Sequence, residues 1–168
     1  MFLETERLEI RDWTEADFES FAALMKDPEV MRFSLNGPLE RSRALEAFHR
    51  RFIEHREKYG FAPLALILKK EQKIIGFAGL ITQLIDGEEK IEMAYRLFPA
   101  YWGQGLAYEA VSKIYEHAFK EMKIESLISI IDPENKRSLR LAERLGMKLV
   151  KKSRYQHVDV YIYARSNS

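Results

Sequence analysis

Apolar and polar residues follow two different rhythms along this chain, and the switches between them outline the fold. Leu8 to Arg11 alternates apolar and charged side chains, the period-two pattern of a half-buried strand. Thr14 then precedes Glu15 and Asp17, with apolar residues at Phe18, Phe21, Ala22 and Met25. This spacing predicts an N-capped amphipathic helix with acids in its first turn, where the helix dipole favours them. Asp27-Pro28 ends that helix, and Asn36-Gly37-Pro38 marks the following loop. From Leu39 to Tyr59 a longer helix is predicted. Its stripe is Leu45, Phe48, Phe52 and Tyr59, with Arg43, Arg50, Arg51, Glu54 and Glu57 mostly on the other side.

After Gly60 the period shortens. Pro63 to Leu68 and Lys73 to Ile81 read as strands around a charged turn at Lys70-Glu71-Gln72, and Asp86-Gly87 is a hairpin signal leading into Lys90 to Leu97. A loop holding Pro99, Gly103 and Gly105 precedes a helix from about Ala107 to Lys120, striped by Ala107, Val111, Ile114 and Ala118. Ser126 to Ile131 reads as a buried strand, and Asn135 to Leu145 as a short helix with Gly146 as its C-cap. Lys148 to Arg154 and Val158 to Ala164 close the chain as a hairpin around Gln156-His157. The order βααβββαβαββ predicts an α/β (α+β) domain with a mixed central sheet of about seven strands flanked by helices. No repeat, linker or low-complexity segment interrupts residues 1–168, so a single domain is expected.

Composition narrows the chemistry. The chain has no cysteine, which excludes disulfides, thiolate metal sites and a cysteine nucleophile. Lys and Arg total 27 against 26 Asp and Glu, so there is no global positive field for nucleic acid, and no nucleic-acid partner is expected. The opening Met-Phe-Leu-Glu-Thr-Glu-Arg is charged where a signal peptide needs an apolar core, and no apolar run approaches the ~20 residues that span a bilayer. A cytoplasmic protein with no membrane association is the expectation. The four histidines, His49, His55, His117 and His157, show no metal-ligand spacing with carboxylate support, so no metal is expected.

The most informative stretch is Leu97-Phe98-Pro99-Ala100-Tyr101-Trp102-Gly103-Gln104-Gly105-Leu106-Ala107. A strand ends, a glycine-containing loop turns, and a helix begins. Backbone N–H groups at such a helix start suit a phosphate or pyrophosphate, although an ordinary βα turn uses the same residues. The stretch is neither the three-glycine dinucleotide fingerprint nor a P-loop, which needs Lys-Ser/Thr.

Trp102-Gly103-Gln104-Gly105-Leu106-Ala107 resembles motif A of the GNAT superfamily of N-acetyltransferases, Q/R-x-x-G-x-G/A, with Trp in the first position. Trp there, followed by Glu109-Ala110, resembles the ribosomal-protein N-terminal (alanine/serine) acetyltransferase branch. Thr5-Glu6-Arg7-Leu8 is similar to that branch's opening, Asp27-Pro28-Glu29-Val30-Met31 to its early helix break, Asn135-x-x-Ser138 to its second motif, and Glu143-x-Leu145-Gly146-Met147 to its E-x-L-G-F. The likeness runs in order along essentially the whole chain.

The resemblance implies the GNAT fold, with strands 4 and 5 of the seven splayed apart, acetyl-CoA as donor and a primary amine as acceptor. It places the CoA pyrophosphate on the amides of Gly103, Gln104, Gly105, Leu106, Ala107 and Tyr108, beside Trp102. The pantetheine arm falls to the backbone of Tyr95 and Leu97 on one side and to Asn135 on the other. Tyr108 departs from the small hydroxyl residue common in the family. Arg137-Ser-Leu-Arg140 is expected to be a solvated face, with one arginine reaching the 3′-phosphate; Trp13 and Trp102 are expected to pack.

Direct transfer needs a neutral amine and a protonated leaving thiolate. The absence of cysteine and of a G-x-S-x-G elbow argues against an acyl-enzyme. The resemblance assigns the base to Glu92, which shares a strand face with Ala94 and Arg96, opposite Ile91, Met93, Tyr95 and Leu97; a plain Glu92–Arg96 pair is the alternative. The family's usual acid, a tyrosine, is replaced by Ala142, and Ser138 is the substitute, unless Asn135 and Ser138 serve only as a helix cap. The acceptor is expected between the long helix, the loop before it and the last hairpin, with Arg41, Phe48, Tyr59, Tyr155 and Tyr161 as lining. The expected reaction is acetylation of a protein N-terminal α-amine, on a ribosomal or other protein. The alternatives are a small amine (polyamine, amino acid or antibiotic) and a CoA-binding module without turnover. Both monomer and homodimer remain open.

Overall fold

The computed structural model describes residues 1–167. In chain order the elements are β1 (Phe2–Glu4), β2 (Leu8–Arg11), α1 (Phe18–Lys26), α2 (Arg41–Phe48), α3 (His55–Tyr59), β3 (Leu64–Leu68), β4 (Lys73–Ile85), β5 (Glu88–Leu97), α4 (Leu106–Lys120), β6 (Ser126–Ile131), α5 (Lys136–Arg144), β7 (Lys148–Tyr155) and β8 (Val158–Ser166). One mixed sheet takes the order β1-β2-β3-β4-β5-β6-β8-β7. Every neighbouring pair is antiparallel except β5 and β6. The eighth strand is β1, whose three residues pair with β2 and are too few for an alternating pattern to register.

The hairpins form where their turn residues predict. Asp86 and Gly87 both adopt left-handed backbone (φ 50° and 80°), as do Gln156 and His157 (φ 48° and 70°). Two successive left-handed residues match the twist of the strands they join. The first turn therefore sits tightly between β4 and β5, which run further than the sequence pattern indicates.

Helices cover both faces of the sheet. On one face α4 lays Ala110, Val111, Ile114 and Ala118 against Leu66, Ile75, Ala78, Leu80 and Met93. On the other face Trp13, Phe21, Phe48, Phe52 and Phe77 form an aromatic cluster, with Trp13 stacked on Phe52 at 5.0 Å and edge-on to Phe21 and Phe48 at 5.8 and 5.9 Å. Offset and edge-to-face packing is the geometry that ring quadrupoles favour.

The predicted helix over 39–59 is present but not uniform. Between α2 and α3 lies a wide π-helical turn, His49–Glu54. The buried stripe is Ala44, Ala47, Phe48 and Phe52, at spacings of three and four that leave Leu45 off the core face at 42% exposure. Beyond this turn His55 bridges two elements. Its Nδ1 donates to the Phe61 carbonyl at 2.7 Å, and its Nε2 accepts the Thr82 N–H of β4 at 2.9 Å. That pattern requires a neutral ring, and burial lowers the His55 pKa below 6.5, outweighing the carbonyl's opposite effect.

A depressed histidine pKa contributes stability that is complete above the unfolded value near 6.5 and is lost as pH falls through the folded value. Urea unfolding midpoints should therefore drop between pH 7 and pH 5, and His55→Gln should flatten that dependence. An unchanged slope in the variant would show that His55 is not the titrating group.

Candidate active site

A single registered pair, Glu92 with Ile128, joins β5 to β6. Past it the strands diverge, and the direction of the β5 backbone groups follows from its neighbours. Phe98 donates its N–H to Ile75 on the β4 side at 2.9 Å, whereas the Met93 carbonyl accepts from Ser129 Oγ on the β6 side at 3.3 Å. Alternation then turns the N–H and C=O of Tyr95 and Leu97 into the gap. The Leu97 carbonyl is met there by Trp102 Nε1 at 2.9 Å.

The loop after β5 reaches α4 through Gly103 and Gly105, both left-handed (φ 73° and 75°), a conformation side chains resist. The first ladder bond of α4 runs from Glu109 N–H to the Gly105 carbonyl, so the N–H groups of Leu106, Ala107 and Tyr108 have no partner within the helix. A Cβ at Gly103 would meet nothing within 4 Å, so the cradle is open on that side. The loop is braced from the chain's beginning. Glu109 accepts from Thr5 Oγ1 (2.6 Å), Arg7 N–H (2.9 Å) and Arg7 Nε (2.7 Å), while Arg7 Nη1 holds the Gln104 carbonyl at 2.9 Å. Burial works to raise the Glu109 pKa, but the hydrogen bonds from Thr5 and Arg7 prevail and hold it below the ordinary value. The Gln104 side chain turns back to the Ala100 carbonyl at 3.0 Å rather than lining the cleft.

A cleft of about 350 Å³ opens above this loop, lined by Tyr95, Leu97, Trp102, Gly103, Gly105 and Leu106 to Tyr108. The arginines of α5 are exposed, as expected of a solvated face, and they also line this cleft. Arg137 lies over the Trp102 ring at 3.4 Å, and Arg144 over the Tyr108 ring at 4.1 Å, with Arg140 between them. Their spacing of three and four gives them one helix face of their own, and the aromatic rings draw that face over the cleft mouth. Tyr108 thus provides a platform for a cation. Backbone donors, three guanidinium groups and an open strand edge fit the pyrophosphate and pantetheine arm of CoA.

A second cavity of about 570 Å³ lies across the gap. Glu92 faces it and accepts from Gln83 Nε2 at 2.8 Å; Gln83 Oε1 in turn accepts from Tyr155 OH at 2.9 Å. Burial raises the Glu92 pKa, opposed by Gln83, the Ile130 backbone, Arg51 and Arg96. Among the described residues Glu92 and Arg96 form no contact pair; Arg96 Nη1 donates to the Val30 carbonyl at 3.2 Å. Of the lining expected from sequence, Tyr155 is in place. Arg41 is held by Glu19 and Phe18, Phe48 is in the aromatic core, Tyr59 donates to Glu89 at 3.1 Å, and Tyr161 packs against the core beneath Lys152. The long helix contributes Arg50, Arg51 and His55 instead.

The two cavities share Tyr95, Arg96, Asn135, Ser138 and Leu141. Asn135 Oδ1 caps the Ser138 N–H at 3.3 Å, and Ser138 Oγ accepts from Tyr95 OH at 2.9 Å. The Ser138 proton is left to point elsewhere. Ala142 is buried in the core, so its position offers no acid. The Tyr95 phenol, whose pKa burial raises against Ser138 and Arg137, stands at the junction instead. Sequence reasoning gave Tyr95 only a backbone role, since alternation reveals a side chain's face but not its partner.

Residues 7–148 match the family model of the acetyltransferase (GNAT) domain. Uncharacterized protein YkkB of Bacillus subtilis (strain 168) is 28% identical over 98% of this chain and 95% of its own. Uncharacterized N-acetyltransferase YnaD of the same organism is 28% identical over 88% and 83%. The crystal structure of a GNAT-family acetyltransferase from Bacillus anthracis superposes with a TM-score of 0.82 at 26% identity, covering 99% of each chain. The family match spans the glycine loop, the parted strands and the α5 face alike, and the chain belongs to the GNAT family of acetyl-CoA-dependent acetyltransferases.

Proposed function

We propose that this enzyme acetylates the α-amine at the N-terminus of a polypeptide by direct attack on acetyl-CoA, with Glu92 as base and Ser138 as donor to the departing sulfur. The observation that carries the proposal is the placement of these groups. Glu92 faces the second cavity, and Ser138 stands where that cavity meets the cleft of the glycine loop.

Acetyl-CoA supplies an acyl group already activated as a thioester. The backbone N–H groups of 103–108 and the α5 arginines hold its phosphates, and the inward groups of Tyr95 and Leu97 align its arm as an added strand, opposite Asn135. An ammonium at Glu92 gives up its proton to the carboxylate, whose raised pKa brings it nearer the working pH of a base. Gln83 and Tyr155 keep the carboxylate oriented while it does so. Ser138, its own oxygen occupied by Tyr95, donates a hydrogen bond to the sulfur as negative charge develops there. The C–S bond breaks after the C–N bond has formed, and the proton shed by the new amide nitrogen ends on the thiolate. This hydroxyl pair replaces the family's missing tyrosine and argues for turnover rather than CoA binding alone. The acceptor cavity runs between the π-helical turn, residues 33–36 and the β7–β8 hairpin, and its breadth suits an extended chain end.

A peptide carrying both a free α-amine and an internal lysine should be acetylated at the α-amine, read by fragmentation mass spectrometry. Modification of lysine alone would refute the acceptor assignment. Because Glu92 must be ionised to act, the rate should rise with pH through its raised pKa. Glu92→Gln should lower kcat roughly 10²–10⁴-fold, remove that acidic limb and leave the KM for acetyl-CoA unchanged. A variant with the same pH profile as the parent would exclude Glu92 as base.

A further inference from the structure

The acceptor cavity is unusual in its cations. Arg51 comes from the π-helical turn, Arg96 from β5 four residues beyond Glu92, and Arg50 stands exposed at the mouth. Among the described residues Arg51 makes no hydrogen bond or ion pair, and Arg96 makes only its bond to the Val30 carbonyl. A guanidinium presents five donors in a rigid fork, so most of this donor capacity is unspent. The facing anions do not balance it. Glu92 interacts with both arginines but is committed to Gln83 and, as base, takes up a proton during turnover. Asp132, at the rim, caps the Glu134 N–H at 2.9 Å. His55 is neutral, its ring nitrogens fixed by Phe61 and Thr82.

Recessed, unpaired guanidinium groups are costly unless something anionic meets them, and carboxylates match their fork geometry. We propose that the acceptor carries a carboxylate of its own beside the reactive amine, held by Arg51 and Arg96 while Glu92 receives the ammonium. Such a carboxylate comes either from an Asp or Glu in the first residues of a polypeptide or from the α-carboxyl of a free amino acid. A polycationic amine would be repelled by the same pair. This assignment rests on the proposed transfer to an amine at Glu92; an Asp or Glu near a polypeptide's N-terminus agrees with the proposed acceptor, whereas a free amino acid would replace that acceptor and keep the transfer.

The test uses the full-length enzyme at saturating acetyl-CoA with matched acceptors: Ala-Asp-Ala-amide against Ala-Asn-Ala-amide, alanine against alaninamide, and spermidine. At least one carboxylate-bearing member should exceed its neutral partner in kcat/KM by roughly 10–100-fold, the scale of a charge-assisted hydrogen bond. Whether the peptide pair or the amino-acid pair shows the larger ratio identifies the source of the carboxylate. Arg51→Gln and Arg96→Gln should bring the ratio toward one through the acceptor KM, and Arg51→Lys should restore part of it. Circular dichroism melting confirms that each variant is folded; if a Gln variant is not, a reduced ratio in Arg51→Lys with acetyl-CoA KM intact carries the same conclusion. Equal or faster turnover of the neutral amides or spermidine would overturn the anionic acceptor while leaving the acetyltransferase intact. A ratio insensitive to both arginines, or a change confined to the acetyl-CoA KM, would also overturn it. Failure to acetylate any amine would defeat the proposed reaction itself.

Discussion

Between β5 and β6 one pair, Glu92 with Ile128, holds the sheet together, and past that pair the strands must part while every backbone group still finds a partner. The inward groups of Tyr95 and Leu97 are an unfinished sheet edge inside the protein. Such an edge can be completed by another chain-like molecule, and we propose that a pantetheine arm, with its two amides, does so. The parting is held open from both sides. Gly76 on β4 approaches so closely that a Cβ there would lie 2.0 Å from the Arg96 carbonyl, fixing the end of β5 against β4. Trp102 satisfies the Leu97 carbonyl, and Glu109 with Arg7 and Thr5 secures the helix that follows.

The gap also explains why chemistry collects where it does. It joins two cavities and leaves their shared wall to a few groups, with Glu92 in one cavity and the Tyr95–Ser138 pair at the junction. The aromatic cluster beneath α2 contributes at a distance. By anchoring Phe48 and Phe52, it lets the π-helical turn between α2 and α3 aim Arg51 and His55 away from the core. The His55 ring at the start of α3 then ties this wall of the cavity to β4. The unpaired arginines sit on the same framework.

Much of this was legible in the residues. Period-two and period-3.6 patterns identify the principal strands and helices, and Asp86-Gly87 and Gln156-His157 mark their turns. The glycine loop identifies the cleft because left-handed backbone at Gly103 and Gly105 is a local demand that sequence records. What stayed hidden is non-local. Thr5-Glu6-Arg7 and Glu109 are separate motifs on paper, and only the fold makes them one brace across about a hundred residues. The π-helical turn leaves no mark in composition, and a regular helix puts Arg50 and Arg51 on the side away from the apolar stripe rather than on the cavity. The α5 arginines are solvated as their spacing indicates, but helical spacing cannot say that Trp102 and Tyr108 lie opposite them.

If CoA completes the parted edge of β5, amide hydrogen exchange at single-residue resolution will register it. Addition of saturating CoA should slow exchange at Tyr95 and Leu97 by at least about tenfold. Ala94 and Arg96, whose N–H groups already face β4, should hardly change. Equal rates at Tyr95 and Leu97 with and without CoA would mean that CoA does not pair with this edge, whatever the enzyme's activity.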